Sequence, residues 1–139
     1  LDPTLAIEQA RSIEGALVSR LPGSRTIIEE QARDLVAELK ALDARLAAAA
    51  ETIGNEPLFF SHPLYQYVIA RYGLNAVEMH WEPDQMPDGH AWDHLAEAME
   101  EHPARWMLWE AAPLPTTITS LAAVANRWSI RPSGAPASV

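Results

Sequence analysis

Two hydrophobic rhythms run along this chain, and they change over at Pro57. Before it the spacing is helical. Leu5 to Arg20 predicts a first helix, with Ile13 and Leu17 one turn apart and Ala6 and Ala10 on the same side. Asp2 or Thr4 suits its start as a cap, and Leu21-Pro22-Gly23-Ser24 breaks it. A long helix then spans about Ser24 to Ile53, with Thr26 and Glu29 spaced as a capping box. Ile28, Ala32, Leu35, Leu39, Leu42, Leu46, Ala49 and Ile53 form a stripe of alternating four-three spacing over about seven turns. Gly54 suits the end of that helix. The stripe is Ala-rich at one end and stops abruptly, which favours packing along a globular body over a coiled coil.

After Pro57 the segments are shorter. Leu58 to Ser61 predicts a buried strand, and Pro63 to Tyr72 a helix closed by Gly73. In Asn75 to Trp81, apolar Val77, Met79 and Trp81 alternate with Glu78 and His80, the period-two pattern of a strand. Asp88 can cap a helix to about Glu101 with Trp92, Leu95, Ala96 and Met99 inward. Arg105 to Trp109 reads as a strand. Pro113 and Pro115 open another helix, Trp128 to Ile130 reads as a last strand, and Pro132 to Val139 as a loose tail. Strands alternating with helices imply a parallel sheet with right-handed crossovers. The expected fold class is α/β: a helical segment over residues 1–54, then a small lobe over 55–139 with four parallel strands flanked by helices.

Composition narrows the function. With 19 acidic and 10 basic residues the chain carries a net charge of −9, which disfavours nucleic acid or an anionic membrane as partner. There is no cysteine, hence no disulfide, thiolate nucleophile or Cys-based zinc site. No apolar run is long enough for a membrane span. The chain opens on Leu1 without a signal peptide and reads as a processed product or an excised piece.

Parallel strands bring all their C-terminal ends to one edge, where open α/β sheets bind ligands. His62 follows the first strand, Glu82 and Asp84 the second, Glu110 the third and Arg131 the fourth, and His80 lies just inside the second. One His with several carboxylates fits either a divalent-metal or an acid–base site, although loop ends are polar in any case. His90 and His94 share i, i+4 spacing, but Trp92, Leu95 and Met99 mark the buried side and leave them on the solvated flank. His102 suits a helix end. No glycine-rich phosphate loop, Gly-x-Ser-x-Gly elbow or His-Glu-x-x-His occurs, and Ser61 and His62 are too close in sequence to form a dyad.

The run Phe59-Phe60-Ser61-His62-Pro63-Leu64-Tyr65-Gln66-Tyr67, with Arg71-Tyr72-Gly73-Leu74 behind it, resembles the C-terminal lobe of zinc/manganese ABC-importer solute-binding proteins of the ZnuA/TroA-like cluster. Leu1-Asp2-Pro3, Leu21-Pro22-Gly23-Ser24-Arg25, Trp81-Glu82-Pro83-Asp84, Trp106 to Glu110 and Arg131-Pro132 fall in the same order as in that family. The resemblance implies an extracytoplasmic protein, not an enzyme, that captures Zn2+ or Mn2+ and delivers it to a membrane permease. By the same resemblance His62 is a metal ligand, while Glu82 and Glu110 match rim positions that are not standard ligands. Two departures stand out. The lobe that supplies the family's other ligands would lie before Leu1, so the chain looks like a C-terminal part. Arg131 stands where the family's Asp is expected, and a guanidinium cannot ligate a cation. One His is not a complete site, so the chain is expected to hold metal weakly. Its long helix, residues 24–53, is expected to expose its stripe and to support a homodimer. Two other readings remain open. A metal- or carboxylate-assisted hydrolase would use His62 with Glu82 or Glu110. A non-metal module would bind an anion at Arg131.

Overall fold

The computed structural model describes residues 2–128 and 131–132, with side chains through residue 124. Two units divide at Ile53 and Gly54. The first is a helical hairpin. Helix α1 (Pro3–Arg20) is capped by Asp2, whose Oδ1 accepts the Thr4 N–H at 2.8 Å and the Thr4 hydroxyl at 2.7 Å. Pro3, at the first helical position, loses no hydrogen bond there. A 3-10 turn (Pro22–Ser24) reverses the chain into helix α2 (Arg25–Ile53), which packs on α1. Thr26 therefore lies inside α2, and Glu29 meets the Arg25 guanidinium at 2.9 Å instead of closing a capping box. The expected face of α1 is also revised. Ile7 and Val18 are buried, whereas Ile13 is 59% exposed and Leu17 40%. Ile13 and Leu17 line an open apolar groove of about 310 Å3 with Ile27, Ile28 and Leu35. No residue of α2 is buried, as the exposed stripe required.

In the second unit, β1 (Leu58–Phe60), α3 (Gln66–Tyr72), β2 (Ala76–Glu78), α4 (Gly89–Glu101), β3 (Trp106–Leu108) and α5 (Pro115–Trp128) follow in turn, and the two-residue β4 (Arg131–Pro132) comes last. All pairings are parallel and the strand order is β2-β1-β3-β4. The core beneath is Phe59, Met79, Leu95, Met99, Met107 and Leu121, each at most 1% exposed. Leu95 and Met99 come from the expected face of α4, while Ala96 is exposed and Ala98 packs on the core in its place.

Three element boundaries differ most from the sequence reading. Helix α3 begins at Gln66 and not at Pro63. The Tyr65 N–H donates to Glu78 Oε1 at 3.1 Å, and Leu64 N–H closes a turn on His62 O, so helical bonding starts one turn later. The second strand is shorter than Asn75 to Trp81, yet Met79 and Trp81 still donate to Phe60 O and Ser61 O, which preserves the alternation. The strand expected from Trp128 does not begin at that residue. Trp128 closes α5, because no Gly or Pro interrupts the helix after Pro115, and the fourth strand is Arg131–Pro132. Ser129, Ile130 and the tail from Ser133 lie outside the described residues. Gly73 ends α3 with φ 63°, a left-handed conformation that favours glycine.

Candidate functional site at the carboxyl edge of the sheet

A 2-1-3-4 strand order has its switch point between β1 and β3, where the connections leave in opposite directions and open a crevice at the carboxyl edge. Ser61 and His62 leave β1 there, and Trp109 and Glu110 leave β3. Ser61 is held from both sides: its N–H donates to Leu108 O at 2.9 Å, and its C=O accepts from Trp81 N–H at 2.7 Å. Successive residues of an extended chain face opposite ways, so Ser61 turns into the interior at 0% exposure and His62 turns to the rim. Pro63 keeps His62 out of helical geometry.

The anchored Trp81 brings Glu82 alongside. His62 Nε2 lies 3.0 Å from Glu82 Oε1, with the two side chains 26% and 44% exposed, so this pair opens to solvent. The opposite edge of the imidazole is buried, and His62 Nδ1 has no hydrogen-bond partner. Ser61 Oγ and Trp109 Nε1 are also buried and unpartnered. Buried polar atoms are normally satisfied. Among the described residues the unpaired ones all come from the residues following β1 and β3, on either side of the switch point.

The remaining candidates are distributed as follows. Glu110 does not pair with His62 among the described residues; Glu82 does. Glu110 instead acts on Tyr65, whose pKa is raised above 10.0, first by burial and then by the Glu110 charge. A raised folded-state pKa favours the neutral phenol. That contribution to stability is complete below the unfolded value and disappears as pH rises through the folded one. Glu110→Gln should lower the Tyr65 titration, while burial still holds it above 10. Carbon-13 NMR of the tyrosine Cζ resonances across pH 9–12 checks this, and a Tyr65 titration unchanged by the substitution would refute it.

His80 is exposed, as are His90 and His94, which keep to the outer flank of α4. His102 caps α4, and its Nε2 lies 3.0 Å from Leu58 O in a structural role. Arg131 pairs with Trp106 through the backbone, and its side chain lies outside the described residues. Among the described residues no group of three or more His, Asp or Glu side chains could hold a metal ion, and the rim contact between such groups is the His62–Glu82 pair. Sequence reasoning placed both on the rim and left Glu82 and Glu110 as alternative partners for His62; the contact is with Glu82. The same reasoning missed Ser61 and Trp109 as buried donors, which a residue at a strand end flanked by apolar neighbours can signal.

Residues 1–137 match the family model described as ZnuA, zinc-uptake complex component A, periplasmic. This chain belongs to that family. It is 24% identical over 111 residues to the high-affinity zinc uptake system protein ZnuA of Bacillus subtilis (strain 168), covering 79% of this chain and 35% of that protein. The fold matches the metal-dependent lipoprotein YcdH from Bacillus subtilis with a TM-score of 0.80 at 21% identity, over 95% of this chain and 49% of that one. It matches the Zn(II)-bound ZnuA-like domain of Streptococcus pneumoniae AdcA with a TM-score of 0.79 at 19% identity, over 94% and 48%. The periplasmic zinc-binding protein TroA from Treponema pallidum gives 0.72 at 18% identity, over 96% and 50%. The chain thus spans about half the length of these solved structures. No helix among the described residues is long and apolar enough to cross a membrane.

Proposed function

We propose that this chain is the metal-capturing C-terminal part of an extracytoplasmic solute-binding component that delivers a transition-metal ion, Zn2+ or Mn2+, to an ABC-importer permease. His62 contributes an imidazole nitrogen, and the chain performs no catalysis. The observation that carries the reading is His62 itself: a partly exposed imidazole at the switch point, beside a carboxylate and among otherwise unsatisfied polar atoms. Family membership supports the importer context, and the Zn(II)-bound relative supports zinc as the ion. The two compact units, divided between Ile53 and Gly54, support reading the rim as part of its own lobe, with the helical hairpin as a separate unit.

Zinc titration of this chain by calorimetry tests the proposal. Binding at micromolar affinity or weaker, lost in His62→Ala, is expected because two protein donors fall short of a full tetrahedral set. Nanomolar binding at one site, or binding indifferent to His62, would refute it.

The long helix 24–53 supports a homodimer, since α2 buries none of its residues and Leu35 and Leu42 are 46% and 39% exposed. Sedimentation equilibrium should show concentration-dependent association that Leu35→Glu weakens. A strict monomer at high concentration would count against it.

A further inference from the structure

We propose that Glu82 is a second cation ligand of this lobe, closing with His62 on a single divalent ion. The inference rests on the metal-binding reading of the rim. A metal with bonds of about 2.1 Å separates neighbouring donors by roughly 3.0–3.4 Å, depending on octahedral or tetrahedral geometry. His62 Nε2 and Glu82 Oε1 already stand 3.0 Å apart, so one ion reaches both with little movement.

The placement is built into the backbone on either side of Glu82. Trp81, 3% exposed and stacked edge-on against Trp92 at 4.8 Å, is tied to Ser61 O. Pro83 O accepts the Leu114 N–H at 3.0 Å, which fixes the other side. A carboxylate held between two anchored residues keeps its geometry when a ligand arrives.

Electrostatics favours the same assignment. Among the described residues Glu82 has no Lys or Arg partner, and its ion-pair contact is His62 alone. A divalent ion would compensate its charge. Access selects the nitrogen. Nδ1 is buried, whereas the Nε2 edge faces the exposed carboxylate. A cation arriving from solvent therefore meets Nε2 and Glu82 together, and the neutral ring carries its proton on Nδ1.

The competing role is that of a positioning residue that only accepts a hydrogen bond from the His62 ring. Glu82→Gln separates the two, because the amide oxygen can still accept that bond but lacks the anionic charge. Zinc titrations of the 139-residue chain are best made in a His90→Ala/His94→Ala background, which removes the exposed histidine pair. Glu82→Gln and Glu82→Ala should both weaken zinc at least tenfold, with circular dichroism unchanged. Long-range nitrogen-15 NMR should show zinc shifting the His62 Nε2 resonance. Zinc affinity in Glu82→Gln equal to the parent, while His62→Ala has lost it, overturns the ligand assignment and leaves the function intact. Retention of zinc in both Glu82→Gln and His62→Ala overturns the reading of the rim itself.

Discussion

Replacing His62 by Ala should lower zinc affinity by roughly a hundredfold or more, since even the groups that merely orient a metal ligand change affinity 10–100-fold. The rim offers two donors, His62 and Glu82, within one contact. Losing the imidazole leaves a single half-exposed carboxylate, which competes poorly with water for the ion. Fold stability should change little. The ring is 26% exposed and its inner nitrogen satisfies no other group, so its removal breaks no internal hydrogen-bond network. Calorimetric zinc titration alongside thermal unfolding checks both halves. A parallel loss of stability and affinity would mean that His62 is a packing residue and not a ligand.

The largest effect on stability is expected at Phe59. Its side chain is 0% exposed at the centre of β1, the strand paired on both sides, and its ring meets His102 edge-on at 5.4 Å. Phe59→Ala should cost about 3–5 kcal/mol, combining lost burial with the cavity left in a close-packed core. Domains are stabilised by only about 5–15 kcal/mol, so this is a large share of the lobe's reserve. All five tryptophans lie after Gly54, so tryptophan fluorescence in a urea titration reports on this unit, while far-UV circular dichroism also reports the α1–α2 hairpin. A midpoint unchanged in Phe59→Ala would contradict the assigned core. Because β1 leads directly into Ser61 and His62, the same substitution should loosen the rim and weaken zinc binding indirectly.

Local patterns made the elements legible. The four-three spacing from Ile28 to Ile53 marked α2, and the alternation of Val77, Met79 and Trp81 marked β2 with its extension. Asp2 and Asp88 cap α1 and α4 as their positions suggested. The late start of α3 and the revised face of α1 share one cause: a contact from outside the local stretch. Glu78, thirteen residues away, takes the Tyr65 N–H and delays α3. Ile13 and Leu17 have the spacing of a buried face, yet α2 leaves them lining an open groove while Ile7 and Val18 are covered. Spacing gives the period of a helix, and only its neighbour fixes which arc is buried.

By itself the sequence determined the alternation of strands and helices and the gathering of His62, Glu82 and Glu110 at strand ends, because side-chain periodicity and the parallel rule act locally. Tertiary structure decided which of them meet. The order β2-β1-β3-β4 puts β1 between two strands and ties Ser61 to both Trp81 and Leu108. That double anchoring sets Glu82 beside His62 and leaves Glu110 to act on Tyr65. A 3.0 Å contact between residues 62 and 82 depends on how strands are laid side by side, a choice made by burial of the whole core and not by either residue's neighbours in the chain.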